Sequence, residues 1–196
     1  MKKRKATVAR KTRETSITIA VDLDGTGSRS ISTGLPFLDH MLELFARHSL
    51  IDLRLKAEGD LAVDHHHTVE DVGLCLGSAL RQALGARAGI TRYGFAAIPM
   101  DEAYSEAAVD LGGRPFLEMR VANRSRRILD FDLGLVEEFF RAFCVEARMN
   151  LHLHQKYGKN PHHAYESLFK AWARAMRQAV ALDPREKGVP SSKGSI

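Results

Sequence analysis

Two short runs, His66-His67-Thr68-Val69-Glu70 and His162-His163-Ala164-Tyr165-Glu166, stand 96 residues apart, and each opens a long amphipathic helical pattern. On a helix the second His and the Glu lie three positions apart, so an imidazole and a carboxylate leave one face at a helix start. Such donors suit a divalent transition metal. The positive end of the helix dipole disfavours protonated imidazole, whereas a neutral, metal-bound imidazole fits there. Neighbouring residues point about 100° apart around a helix, so the two histidines of a pair can serve different ions. The sites would then be assembled between halves or between subunits, and metal would hold an oligomer together. Each run supplies at most three ligands. His40 and Glu138, at matching places in the preceding helices, could complete two six-coordinate spheres of Mn2+ or Fe2+, which makes two metals per chain the natural count.

The elements that must position these donors are themselves duplicated. The offset of 96 also pairs Arg81-Gln82-Ala83-Leu84 with Arg177-Gln178-Ala179-Val180 at the far ends of the two helices. An offset of 98 aligns His40, Phe45, Leu53 and Leu55 with Glu138, Phe143, Leu151 and Leu153, and an offset of 88 aligns Ala20-Val21-Asp22-Leu23 with Ala108-Val109-Asp110-Leu111. Hydrophobic alternation predicts strands over 14–24, near 29–33 and around 51–55, with a helix opening at Pro36 and a long helix from the His pair to Leu84, stopped by Gly85. The second half repeats the order: strands near 93–99, 104–111 and 115–121, a helix over 133–148, a strand over 150–154, a loop over 155–161 and a helix over 162–182. The fold class this predicts is α+β, two similar half-domains, each a mostly antiparallel sheet packed on one side by two helices. The divisions are a basic, disordered N-terminal arm (1–12), a first half-domain (13–91), a second (92–183) and a loop-like tail (184–196).

With 196 residues, 44% of them hydrophobic, the chain can bury a real core. It lacks the roughly 20-residue apolar run of a membrane span and the apolar stretch of a secretory signal, which makes a cytoplasmic location the expectation, with no membrane partner. Cys75 and Cys144 fall inside helical patterns at non-equivalent places, so buried free thiols are expected. The net charge of +5 is concentrated in the first thirteen residues, without the interleaved aromatics of a single-strand nucleic-acid platform, and no nucleic-acid partner is expected. Isolated cations elsewhere, Arg92, Arg114, Lys170 and Lys193, suit a small anion better than a polymer.

One feature competes with the histidines. Asp22-Leu23-Asp24-Gly25-Thr26 matches the DxDGT opening of haloacid-dehalogenase-type phosphatases, but the sister strand ends Asp110-Leu111-Gly112-Gly113, as an ordinary strand-and-turn would, and the later Lys and carboxylate cluster of that chemistry are missing. A metal-bridged cage without catalysis is a third possibility; an enzyme would need anion-binding residues converging on the metals.

From about Arg10 to the C-terminus the residues resemble imidazoleglycerol-phosphate dehydratase, through Arg13-Glu14-Thr15, Asp24-Gly25-Thr26-Gly27, 33–42 (TGLPFLDHML), 64–71 (DHHHTVED), Arg92-Tyr93-Gly94, Pro99-Met100-Asp101-Glu102, Asn160-Pro161-His162-His163, Phe169-Lys170-Ala171 and Ser192-Lys193-Gly194. The resemblance implies dehydration of imidazole glycerol phosphate to imidazole acetol phosphate, two Mn2+ per subunit and a homo-oligomeric shell of 24 subunits built from trimers. By the same comparison the metal ligands are His40, His66, His67, Glu70, His162, His163 and Glu166. Glu138 stands where many members carry His, and a carboxylate can still ligate there. Arg92, Arg114, Lys170, Ser192 and Lys193 would hold the phosphate, with the tail contributing. His48 would line the substrate pocket, where His40, His66, Glu70 and His162 would also meet substrate.

The chemistry accounts for both metals and cations. The hydrogen to be lost lies on a carbon beside no carbonyl, so direct enolate formation is closed. A metal-held imidazole that gives up its N–H proton can expel the neighbouring hydroxyl, forming a diazafulvene-like intermediate whose adjacent C–H is acidic. Glu14, carried over from the resemblance, is the expected general base, since Glu70 and Glu166 would be occupied by metal.

Overall fold

The computed structural model describes residues 3–196. β1 (Lys5–Lys11), β2 (Thr15–Asp22), β3 (Arg29–Ser32), α1 (Pro36–Ser49), β4 (Asp52–Gly59) and α2 (His66–Leu84) make the first half. β5 (Tyr93–Met100), β6 (Ala103–Asp110), β7 (Phe116–Val121), a two-residue-per-strand hairpin β8/β9 (Arg127–Ile128 and Phe131–Asp132), α3 (Leu135–Ala147), β10 (Asn150–Tyr157) and α4 (Pro161–Val180) make the second. The sheets run β1-β2-β4-β3 and β5-β6-β10-β7, the same order element for element. In each, only the last pair is parallel, because its two strands are joined across a helix. Both half-domains are thus mostly antiparallel sheets with two helices on one face, as the α+β reading requires.

The period-2 patterns set which face is covered. Ile17, Ile19 and Val21 of β2 and Leu53, Leu55 and Ala57 of β4 point inward and are buried, as are Ala107, Val109, Leu151 and Leu153 in the second sheet. The helices lie between the two sheets and pair across the halves, α2 with α3 and α1 with α4. Gly73 and Gly77, one turn apart on α2, allow the first pairing: a Cβ at either would run into the backbone oxygen of Phe139 or Phe143. The second centres on Trp172, fully buried, with Phe45 of α1 stacked on it at 3.9 Å and Phe140 and Phe143 of α3 edge-on at 5.0 and 5.1 Å. One continuous core results, shared by both halves.

Arg87 fastens the halves at their far end. It is 6% exposed, and its guanidinium donates to the oxygens of Leu111 (2.8 Å), Arg148 (2.9 Å) and Ala147 (2.7 Å). Two of those carbonyls close α3, whose last turn has no internal partners for them and whose dipole end attracts a cation. Burial lowers the Arg87 pKa from its ordinary value.

Two expectations need correction. The basic arm is not disordered over its described residues: Lys5–Lys11 pairs along its whole length with β2. Lys5, Thr7, Ala9 and Lys11 point outward while Ala6, Val8 and the stem of Arg10 turn toward α2, where Arg10 meets Asp71 at 2.5 Å. Lys2, also assigned to the arm, lies outside the described residues. The loop placed over 155–161 begins later, because β10 continues to Tyr157 against β6, with the Gln155 side-chain oxygen taking the Ala122 and Asn123 amides. Asp22 and Asp24, the phosphatase lookalike, are paired with Lys5 and Arg4. Both thiols are free and buried. Among the described residues no helix is long and apolar enough to cross a membrane.

Candidate metal centre

The two His pairs owe their place to matched helix starts. Asp64 Oδ1 accepts the His66 amide at 2.8 Å, and Asn160 Oδ1 accepts the His162 amide at 2.9 Å, so the residue two before each first histidine ties down an otherwise unpaired helical N–H. In α4, Pro161 adds a preset φ at the first helical position. From this start His162 and Glu166 project one turn apart toward His40 on α1.

There the structure brings three donors together. His162 Nε2 lies 3.1 Å and His40 Nε2 3.4 Å from the same oxygen, Glu166 Oε2, and the imidazole rings are 5.4 Å apart. Among the described residues these three form the one group of three or more donors that lie within 4.8 Å of one another. Lys170, one turn further along α4, binds the other carboxylate oxygen at 2.6 Å. Burial pulls the Glu166 carboxyl upward, but Lys170 and His40 outweigh it and hold the pKa below the usual value. The carboxylate is therefore ionised, with Oε2 turned to the imidazoles.

The related positions of the other half stand differently. His66 Nε2 is 3.8 Å from Glu70 Oε2, while Glu138, on the first turn of α3, faces Arg141 at 3.8 Å and forms no such triad with them. The second histidine of each pair points away from these groups. His67 Nδ1 meets Asp60 Oδ2 at 3.0 Å, with Glu14 Oε2 at 4.0 Å, and His163 Nδ1 meets Glu102 Oε2 at 2.8 Å. Each imidazole pKa is raised, chiefly by that hydrogen bond, and the Glu102 carboxyl is brought down to about 2 by His163 and the Asn160 amide. With Nδ1 anchored, Nε2 of each is the nitrogen left for a ligand.

The cations separate into two groups. Lys170 sits beside the triad, and His48, at the end of α1, faces Lys170 and Arg174; burial first and those two charges second lower its pKa. Arg92 is at the opposite end of α4, its amide bonded to the Ala179 oxygen, roughly 26 Å from His162 at ~1.5 Å per residue. It grips Asp110 with Nε and Nη2 (2.7 and 3.2 Å) and the Pro190 oxygen with Nη1 (2.7 Å), which leaves two of its five N–H groups. Arg114, exposed just before β7, is at this same end, where Tyr93, Asp110, Asn150 and Phe116 lie in register. The tail carrying Ser192 and Lys193 comes here too, its last residue Ile196 against Gly113. Within one chain, then, Arg92, Arg114 and the tail converge on one another and not on the triad.

Asp60 and Glu102 are the residues that sequence reasoning left without a role. Glu102 had a signal, standing 88 residues after Glu14, the offset already visible in the neighbouring strands. Asp60 had none, because Gly158 occupies the matching place after β10.

Known proteins share this architecture. The family model described as imidazoleglycerol-phosphate dehydratase matches residues 33–176. The chain is 55% identical over 194 residues to the imidazoleglycerol-phosphate dehydratase of Methylorubrum extorquens, covering 98% of this chain and 100% of that one, and 51% identical over 193 residues to that of Bacillus licheniformis, with the same coverage. The crystal structure of the Staphylococcus aureus imidazoleglycerol-phosphate dehydratase superposes with a TM-score of 0.83 at 36% identity over 91% of this chain and 99% of that one. The Pyrococcus furiosus structure does so at 0.80 and 33%, over 96% and 100%. A match that runs through both halves and both His pairs places the chain in the imidazoleglycerol-phosphate dehydratase family, hydro-lyases of the dehydration step in histidine biosynthesis.

Proposed function

We propose that the protein converts imidazole glycerol phosphate to imidazole acetol phosphate as a metal-dependent enzyme, with two Mn2+ per subunit. The observation that carries this is the meeting of His40, His162 and Glu166. Donors bound to one first-row ion at about 2.0–2.2 Å stand roughly 3–4 Å apart, and the two contacts to Glu166 Oε2 fall in that range. Two imidazole nitrogens and one carboxylate oxygen are a donor set of the right kind, and Lys170 keeps that carboxylate ionised without using Oε2. His66, Glu70 and Glu138 would hold the second ion, and His67 and His163, which face away from the donors of their own chain, would complete spheres in neighbouring copies.

When bound, the metal would polarise the substrate imidazole and make its ring N–H easier to lose. The protein's own groups do the rest. Glu14, on the β1–β2 turn and more than half exposed, is free to accept the C–H proton. Lys170 and His48, beside the triad, meet the substrate directly, and Arg92, Arg114, Ser192 and Lys193 bind its phosphate from another copy, since they lie at the wrong end of α4 to do so in their own. This is the reason for reading the active protein as a homo-oligomer, of 24 subunits as the family resemblance implies; its ligand is a small phosphorylated imidazole, and the biosynthetic role of the family makes the cytoplasm its place.

Imidazole glycerol phosphate added to Mn-loaded protein should give the ultraviolet absorbance of the keto product, and chelation should abolish it. No product from fully metal-loaded protein would overturn the assignment. Verified metal removal should also shrink the particle in light scattering; unchanged size would remove metal from the assembly.

A further inference from the structure

The duplicated halves have dealt differently with one carboxylate. Glu14 and Glu102 occupy the same place, each the residue before the second strand of its sheet, β2 starting at Thr15 and β6 at Ala103. Each faces Nδ1 of the second histidine in its own half. Glu102 reaches it, at 2.8 Å from His163, whereas Glu14 stops 4.0 Å from His67.

A third residue explains the difference. Asp60, the first residue after β4, already holds His67 Nδ1 at 3.0 Å. The end of β4 is pressed onto α2 beside it, where Gly59 leaves no room for a Cβ against Thr68. In the second half the first residue after β10 is Gly158, with no side chain to offer, and there the turn glutamate does the holding. Asp60 also carries a cost: its Oδ1 is sealed from solvent without a partner, and a buried polar atom left unpaired is destabilising. A residue kept under that penalty has work for its other oxygen.

We propose that Asp60 is a positioning residue that holds His67 in place of Glu14, and by doing so leaves Glu14 free to face substrate, while in the other half Glu102 itself holds His163, with the exposed Asp101 3.9 Å away. This rests on the reading of the His pairs as ligands and of Glu14 as the proton acceptor. Anchoring Nδ1–H fixes the tautomer and leaves the Nε2 lone pair for a metal. A carboxylate engaged in that bond cannot also turn to a substrate C–H, so the half that supplies the base needs a second acid for the histidine.

The test measures Mn2+ binding to the assembled protein, from the electron paramagnetic resonance of free Mn2+, alongside kcat on imidazole glycerol phosphate. D101A/E102A should weaken one of the two Mn2+ sites ~10–100-fold, because it removes both carboxylates within 4 Å of His163 Nδ1, Glu102 at 2.8 Å and Asp101 at 3.9 Å. D60A should keep both sites, since Glu14 can swing onto His67, but lose ~100-fold or more in kcat as the base is diverted. D60N, whose amide oxygen accepts the same hydrogen, should recover most of that kcat, and D60A/E14A should weaken one Mn2+ site as D101A/E102A does. Loss of metal by D60A to the extent seen in D101A/E102A, or a wild-type kcat in D60A, overturns the inference. Wild-type protein that binds no Mn2+ or makes no keto product overturns the underlying reading itself, a failure visible before any substitution is made.

Discussion

Replacing Arg87 by Met should be among the most destabilising single changes away from the metal centre. The two side chains have similar length, and both leave residue 87 in its left-handed conformation (φ 58°), so the comparison isolates the guanidinium. Three charge-assisted hydrogen bonds disappear, to Leu111, Ala147 and Arg148. They leave three carbonyls without that donor in a region Met would keep dry. At about 1–1.5 kcal/mol net for each, the loss is about 3–4.5 kcal/mol. For a chain of this length that corresponds to a Tm lower by about 6–18 °C. R87K, with a single ammonium able to reach only part of the acceptor set, should fall between the two. Thermal unfolding followed by circular dichroism, at one protein concentration and one metal concentration so that assembly does not enter, measures it. A Tm for R87M within about 2 °C of wild type would refute the reasoning, and would mean that water or a relaxed α3 terminus satisfies those carbonyls.

Other perturbations probe the site and the corrected arm. E166Q should lower Mn2+ affinity at the His40 site by more than ~10-fold, as measured by metal titration, because the amide is a poorer ligand and Lys170 loses its counter-charge. Cys75 and Cys144, whose thiols burial pushes up to about 11 and about 12, should be inert to a thiol reagent at pH 8 until the protein is unfolded, when both react. The sign of the linked effect is fixed: with both values above 9.0, the unfolded chain loses these protons first, so stability should decline as pH rises from 9 toward 11–12 in denaturant titrations. Deleting residues 1–11 should lower Tm and promote aggregation visible by light scattering, since it removes the Arg10–Asp71 contact and bares the edge of β2. An intact Tm would restore the picture of a loose arm.

Much of this molecule was legible because duplication writes the same physics twice. The matching of Asp64 with Asn160, of one His pair with the other and of both helix ends carries helix starts, helix lengths and donor spacing without any knowledge of contacts. β1 was hidden because Lys5, Arg10 and Lys11 continue the charge of Lys2, Lys3 and Arg4, and a run of like charge looks the same whether it lines an edge strand or a free arm. The β8/β9 hairpin has two residues per strand, too short for any periodicity. What no spacing could convey is the separation of the cations: Arg92 and Lys170 look equally suited to a phosphate, and only the run of α4 sets Lys170 beside the triad and Arg92 at the helix's far end. Asp60 escaped for the opposite reason, since a search by repetition cannot find what only one half possesses.

The crossed helix pairs say something about how such a chain could arise. Each half packs one face of its helices on its own sheet and buries another against the helices of its sister, with Gly73 and Gly77 shaped to the backbone of α3 and Trp172 of the second half stacked on Phe45 of the first. A free-standing half would show water a broad oily surface, and the partner with the best-matched surface would be its own twin. A gene of half this length therefore encodes a sensible protein only as a symmetric dimer, and joining two copies end to end fixed that pairing in one polypeptide. Fusion also released the two copies from identity, and a carboxylate could then be added beside one histidine and omitted beside the other.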